Sequence, residues 1–209
     1  MHQYYVQLHS KSLHYKPTLL ISVHMKTDTL FTKHNAKYNR MLFKAAWLDT
    51  PIGTMIAIAD ENFLYLLEFV DGRGIEKEIE RLQTHMQSQI VLGITKPILS
   101  IERELKEYFN GALKSFNTPF VLLGTDFQQS VWHALTTIPY GHTKSYADQA
   151  QVIEKPSACR AVGTANGANQ LAIIIPCHRI ITSDGKLGGY GGGVTRKQWL
   201  LAHERNNQL

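Results

Sequence analysis

Apolar positions change their period along this chain, and the changes mark where elements begin. Between Ala46 and Val70 they fall in short runs separated by turn residues. Trp47-Leu48 and Met55-Ile-Ala-Ile58 flank Thr50-Pro-Ile-Gly53, and Phe63 to Phe69 follows Asp60-Glu-Asn62. β-branched and aromatic content with Pro, Gly and Asp at the breaks predicts a hairpin and a third strand. Ile75, Ile79, Leu82 and Met86 then recur at helical spacing with charges between them. A second helix is expected from Pro97, which suits a first turn, through Ile101, Leu105 and Tyr108 to Asn110-Gly111. A strand near Phe120 to Leu123 closes this small α/β unit.

The second half reads mainly as helices. Asp126 can cap a helix carrying Val131, Trp132, Leu135 and Ile138, which stops at Pro139. Ser145 can cap a short helix to about Ile153, and Pro156 opens another that reaches about Gly167. Two short helices around Glu154-Lys-Pro156 form a helix-turn-helix candidate. The second is rich in small residues (Ala158, Ala161, Gly163, Ala165, Gly167, Ala168), which lets a neighbouring helix or a nucleic-acid groove come close. Leu171-Ala-Ile-Ile-Ile175 reads as a short, buried, extended segment. Thr195 with Gln198 has the spacing of a capping box that starts a last helix reaching Glu204.

Composition adds bounds. The 209 residues are 44% hydrophobic and 19% charged, the balance of a soluble globular protein of one large or two small domains. No apolar run approaches the roughly 20 residues that span a bilayer. The first residues lack the charged, apolar and small-residue regions of a secretory signal. Two cysteines, Cys159 and Cys177, argue for a reducing compartment without a disulfide. Charge is uneven: residues 1–44 hold seven Lys/Arg against one Asp, residues 45–126 seven against twelve acids, and residues 127–209 eight against four. The last third therefore has a modest bias toward a polyanionic partner. Residues 1–40 hold five of the ten histidines without sustained periodicity, so they read as a mobile extension or as the product of a start upstream of Met41. Those histidines lack the i, i+4 spacing of a helical metal pair, and no metal is expected.

Candidate chemistry sits in Pro176-Cys177-His178-Arg179. A cysteine beside a histidine pairs a nucleophile with a base, and Glu204 in Trp199-Leu-Leu-Ala-His-Glu204 offers a carboxylate to orient the imidazole. A Cys-His pair beside an apolar run is more often packed core than catalyst. If reactive, it suits a cysteine hydrolase with a Cys177-His178-Glu204 triad, a group-transfer protein, or a binding or sensing protein that is modified once.

Asn169-Gln-Leu-Ala-Ile-Ile-Ile-Pro-Cys-His-Arg-Ile-Ile181, Gly189-Tyr-Gly-Gly-Gly193 and Trp199 to Glu204 resemble the active-site half of the O6-alkylguanine-DNA alkyltransferases, the methylated-DNA–protein-cysteine methyltransferases. Ile138-Pro-Tyr-Gly-His-Thr-Lys-Ser-Tyr146 and Arg160-Ala-Val-Gly163 belong to the same set. The resemblance is dense from about Phe127 to Glu204, weaker from about Ala46 to Leu123 and absent over residues 1–40. It implies an extension over 1–44, a ribonuclease-H-like α/β domain with a small antiparallel sheet over 45–124, and a mainly α, winged-helix-like domain over 125–209.

It further implies irreversible, single-turnover transfer of an alkyl group from guanine O6, and from O4-alkylthymine, to Cys177. His178 would take the thiol proton through a water, Glu204 would fix the imidazole, and Asn169 would hold the turn before the active-site segment. Tyr146 would donate to guanine N3, and Arg160 would replace the base flipped out by a minor-groove helix-turn-helix. Gln128, Ser183, Tyr190 and Gly191 would contact DNA or wall the pocket. Gly191, where many relatives have serine, and Ala172, where some have proline, would enlarge it. The implied partner is double-stranded DNA, with no cofactor, membrane or obligate protein partner, for a monomer in the cytoplasm or, in a eukaryote, the nucleus.

Overall fold

The break at Thr50–Gly53 turns as its residues dictate. The Gly53 N–H donates to the Thr50 carbonyl at 3.1 Å, and Gly53 sits at φ +125°, where side chains are strained. In this computed structural model, which describes residues 41–72 and 74–208, that turn joins β1 (Leu42–Leu48) to β2 (Met55–Ala59). The second break is closed by Asp60, whose Oδ1 accepts from the Asn62 and Phe63 N–H groups at 2.7 Å each. It leads to β3 (Leu64–Phe69), antiparallel to β2. β1 opens at Leu42, earlier than the boundary expected at residue 45, because Lys44 already pairs with Ala59 on one side and Val91 on the other. The extension over residues 1–40 and its histidines lie outside the described residues.

The sheet is mixed, which corrects the antiparallel expectation. After α1 (Ile75–His85) the chain forms β4 (Gln89–Leu92), parallel to β1, giving the order β3-β2-β1-β4. β4 is four residues long, too short for alternation to register. β2 is buried along its whole length, and α2 (Lys96–Phe109) contributes Ile98, Ile101, Leu105 and Tyr108 to the same core. The strand expected at Phe120–Leu123 reduces to one bridge between Leu64 and Phe120. Around it the Leu64 N–H donates to the Pro119 carbonyl at 2.9 Å and the Val121 N–H donates to the Leu64 carbonyl at 3.0 Å, and the pairing goes no further.

In the second half, α3 (Asp126–Thr136) starts one residue earlier than expected. Thr125 is its N-cap, in a capping box with Gln128, and Asp126 lies in the first turn, where its charge favours the helix dipole. α4 (Tyr146–Val152) is capped by Ser145, reciprocally with Asp148. Pro156–Ala158 is a 3₁₀ turn that opens α5 (Cys159–Gly167). α3, α4 and α5 are bound by Trp132 Nε1 donating to the Ala165 carbonyl at 2.8 Å and by a buried Gln149–Asn166 amide pair at 2.7 Å.

The segment expected to be extended, Leu171–Ile175, is buried but turned. Ile173 lies at φ +72°, a strained place for a β-branched residue, and the Ile175 N–H closes back on the Leu171 carbonyl at 2.9 Å. Two backbone bonds of 2.8 Å, Leu67 N–H to Gln170 and Ala172 N–H to Leu67, hang the front of this turn on β3. Cys177–Arg179 then forms a 3₁₀ turn, and β6 (Ile180–Ile181) pairs in parallel with β5 (Lys144–Ser145). α6 (Val194–Asn206) begins from Gly193 at φ +94° with no side-chain cap, so Thr195 and Gln198 do not form the expected box.

Candidate active site

The turn before Cys177 needs an internal partner because its carbonyls and N–H groups face away from water. Asn169 supplies one. Its Oδ1 accepts from the Leu171 N–H at 3.0 Å, and its Nδ2 donates to the Ile175 carbonyl at 2.9 Å. The same Nδ2 lies 3.3 Å from Cys177 Sγ. One carboxamide thus holds the strained turn and touches the thiol it presents.

His178 points the other way, into the core. It is fully buried, and its Nε2 lies 2.8 Å from Glu204 Oε1. Glu204 is also fully buried and collects further donors: Tyr108 Oη at 2.9 Å, Arg179 Nη2 at 3.0 Å, Arg179 Nε at 2.9 Å and the Gly141 N–H at 2.9 Å. Arg179 spends Nη1 on the Ile138 carbonyl at 2.6 Å. A buried carboxylate is tolerable only with such a complement.

Burial raises Glu204, but the bonds and charges of His178 and Arg179 win and hold it well below the usual carboxylate range. Burial lowers His178, and Arg179 and Lys197 add to this against the pull of Glu204. The imidazole is therefore neutral at pH 7, and the carboxylate keeps its proton on Nε2. Nδ1 is left as a buried acceptor with no hydrogen-bond partner among the described residues. Burial pushes the Cys177 thiol up to about 11, opposed by the Asn169 N–H and by Lys197, with Glu68 adding to the rise. Lys197 is fully buried, donates to the Ile180 and Gly189 carbonyls, and is pushed down to about 8 by burial.

Cys177 opens on a cavity of about 680 Å³ lined by Tyr146, one face of α5 and the glycine loop at 189–193. Tyr146 is raised from its ordinary value by burial and by the nearby Cys177. The α5 face presents Gly163, Asn166 and Gly167 to the cavity, and a Cβ on Gly163 would lie 3.6 Å from the Tyr146 ring. Tyr190 lines the cavity with its ring edge-on to His178, centroids 6.4 Å apart, and its Oη is buried without a partner among the described residues. Gly191 lines it too.

Three residues expected at the site lie away from this wall. Arg160 is exposed one turn before Gly163 on α5. Ser183 is exposed on the turn closed by Thr182 and Lys186, outside the cavity lining. Gln128 uses its Oε1 on the Thr125 N–H, in the cap of α3. Conversely, Arg179, Lys197, Tyr108 and Glu68 belong to the site and carried no assigned role in the sequence reading. Lys197 was the most discoverable, since it precedes Glu204 by seven residues and shares the helix face of Leu200. Among the described residues, no group of three or more His, Cys, Asp or Glu is placed to hold a metal ion, and no helix is long and apolar enough to cross a membrane.

A model of the DNA-binding domain of 6-O-methylguanine DNA methyltransferases matches residues 126–206. The methylated-DNA–protein-cysteine methyltransferase of Methanosarcina barkeri is 44% identical over 160 residues, 77% of this chain and 96% of that one. That of Mycobacterium tuberculosis is 43% identical over 159 residues, 76% of this chain and 90% of that one. The crystal structure of M. tuberculosis OGT in complex with DNA superposes with a TM-score of 0.67 at 40% identity, over 79% of this chain and 94% of that one. The O6-methylguanine-DNA methyltransferase of Pyrococcus kodakaraensis, 23% identical with a TM-score of 0.57, shares the fold.

Replacing Glu204 by Gln should destabilise the protein by about 3–5 kcal/mol at pH 7, because Arg179 is left buried without its counter-charge. The folded carboxyl lies below its unfolded value, so its contribution is full above the ordinary carboxyl range, near 4.3, and fades as pH falls through and below it. Urea titrations of both proteins should show the gap narrowing from pH 7 toward about pH 3. A gap that is constant or widens on acidification would contradict the ion-pair account.

Proposed function

The chain belongs to the O6-methylguanine DNA methyltransferase family, and on that premise we propose that it repairs alkylated DNA by direct reversal, with Cys177 as the acceptor. Its activity is that of a methylated-DNA–protein-cysteine methyltransferase. The observation that carries the residue assignment is a half-buried thiol opening on a cavity, followed in the chain by a histidine whose Nε2 is locked to a buried carboxylate.

The thiol proton passes to His178 Nδ1, the nitrogen left free by the Glu204 bond, through a water. The resulting sulfur anion attacks the alkyl carbon in line with the C–O6 bond. That bond breaks, its electron pair stays on the guanine, and the Tyr146 hydroxyl donates to N3 to disperse the charge. The charge of Lys197 favours the sulfur anion. The thioether formed has no acidic proton and is a poor leaving group, so the site acts once. O4-alkylthymine offers the same carbon–oxygen bond and is a second substrate.

A duplex base must leave the stack to reach this cavity. α4 and α5, joined by the Pro156–Ala158 turn, form the helix-turn-helix of a winged-helix-like domain over residues 125–209. Support comes from the small residues on the cavity face of α5 and from the basic balance of the last third of the chain. Entry through the minor groove suits a protein that inspects guanines irrespective of sequence. Arg160, exposed at the start of α5, fills the space of the flipped nucleotide with a planar guanidinium.

Mixed with excess duplex carrying O6-methylguanine, the protein should take up one methyl group per molecule and stop. Continued release of product would favour the hydrolase reading. Arg160→Ala should slow repair of duplex far more than reaction with free O6-benzylguanine, because only the former requires extrusion of a base, which costs a few kcal/mol. Equal losses on both substrates would assign Arg160 to folding.

A further inference from the structure

Behind Cys177 the cavity continues into a recess of about 10 Å³, room for about one water molecule. Glu68, Asn169, Ala172, Cys177, Tyr190 and Gly191 are among its walls. Of these six, Glu68 alone comes from the sheet. Its place is enforced by the two backbone bonds that pin Leu67 to Gln170 and Ala172, since Glu68 is the next residue along β3. A Cβ on Gly191 would stand 3.9 Å from Glu68 Oε2, so the carboxyl rests against the loop that also carries Tyr190. The transfer chemistry described above gives this carboxyl no task, yet it shares a one-water space with the reacting sulfur.

We propose that Glu68 is a positioning residue that serves alkyl transfer only as the neutral acid, and that its ionised form holds the proton on Cys177. This rests on the reading of Cys177 as acceptor. A carboxylate facing the same small recess opposes a second negative charge on the sulfur, whereas an uncharged carboxyl does not. The groups that face Glu68 define when each form prevails. Burial pushes its carboxyl up to about 8, against the Phe69 N–H; Glu78 from α1 adds to the rise and Arg196 from α6 opposes it. Glu78 is held by Gln170 Nε2 at 3.2 Å, and Arg196 by Asp71 at 2.9 Å. Cys177 and Tyr190 complete the surroundings, both sensing the Glu68 charge. At neutral pH the acid form dominates, and transfer is unhindered.

Lys197 loses its proton over the same range as Glu68, also to the detriment of the thiolate, so two variants are needed to separate them. Benzyl transfer from free O6-benzylguanine to the full-length protein, followed over roughly pH 6.5–10, excludes any contribution from DNA charge. Each protein is scaled to its own rate at pH 7. The natural protein should bend downward through about pH 8, and Glu68→Gln should lose that component. It should end at least about threefold higher on this scale, the equivalent of half a unit in thiol pKa. Glu78→Gln, which removes a charge that favours the acid form, should move the bend to lower pH, whereas a bend owed to Lys197 stays in place. Superimposable profiles for the natural protein and E68Q overturn the proposal. Should E68Q fail to fold by near-ultraviolet circular dichroism, a bend that E78Q leaves unmoved overturns it instead. Benzyl recovered on a residue other than Cys177 would remove Cys177 as acceptor, and the proposal with it.

Discussion

A carboxylate with no solvent contact must find its donors inside the protein, and much of this site is arranged around the need of Glu204. Its donors come from separate stretches: Tyr108 at the end of α2, Gly141 in the turn after α3, and His178 and Arg179 in the 3₁₀ turn that carries Cys177. α6 supplies the acid itself. Burying an unpaired carboxylate costs several kcal/mol even after relaxation, so these segments can come together only when the full set of donors is in place. One side chain thereby joins the α/β half of the chain to the helical half and fixes the imidazole. Arg179 is what makes this affordable, because it offsets the charge and leaves His178 neutral.

The thiol is treated in the opposite way. Held near 11 by burial, it is a thiolate in about one molecule in ten thousand at pH 7. Deprotonation therefore costs roughly 5 kcal/mol unless a base is at hand when substrate arrives. A neutral His178, whose Nδ1 has no partner among the described residues, is the base we propose, and a buried Lys197 lessens the cost further. The arrangement also keeps the resting sulfur poorly reactive toward other electrophiles, since the thiolate is the nucleophile. A protein consumed by a single reaction gains from such restraint.

Much of this was legible in the sequence where local chemistry decides the outcome. Ser145 caps α4, Pro97 opens α2 and the Asp60 turn closes as its residue types require. Long-range decisions were not legible. β4 is too short to show a period, and its parallel pairing with β1 depends on α1 crossing the sheet. Leu171–Ile175 reads as a strand by composition, but Asn169 and β3 fold it into a turn with Ile173 left-handed. Thr195 and Gln198 had the spacing of a capping box, yet Gly193 at positive φ started the helix before them. At the site, the Cys-His-Glu set stood out by residue type. Arg179 and Lys197 did not, because their importance comes from burial, which a charged residue type argues against, and Glu68 did not, because its place at the recess depends on the long-range pairing of β3 with the turn at 170–172.

In the proposed reaction the sulfur of Cys177, and no other group, receives the alkyl carbon. Duplex DNA bearing isotopically labelled O6-methylguanine, mixed with the protein and followed by proteolysis and mass-resolved peptide mapping, tests it directly. The label should appear on the peptide holding Cys177, in step with loss of the lesion, and not on the peptide holding Cys159. Label on Cys159 or on any other residue, or repaired DNA with no label on the protein, would contradict it.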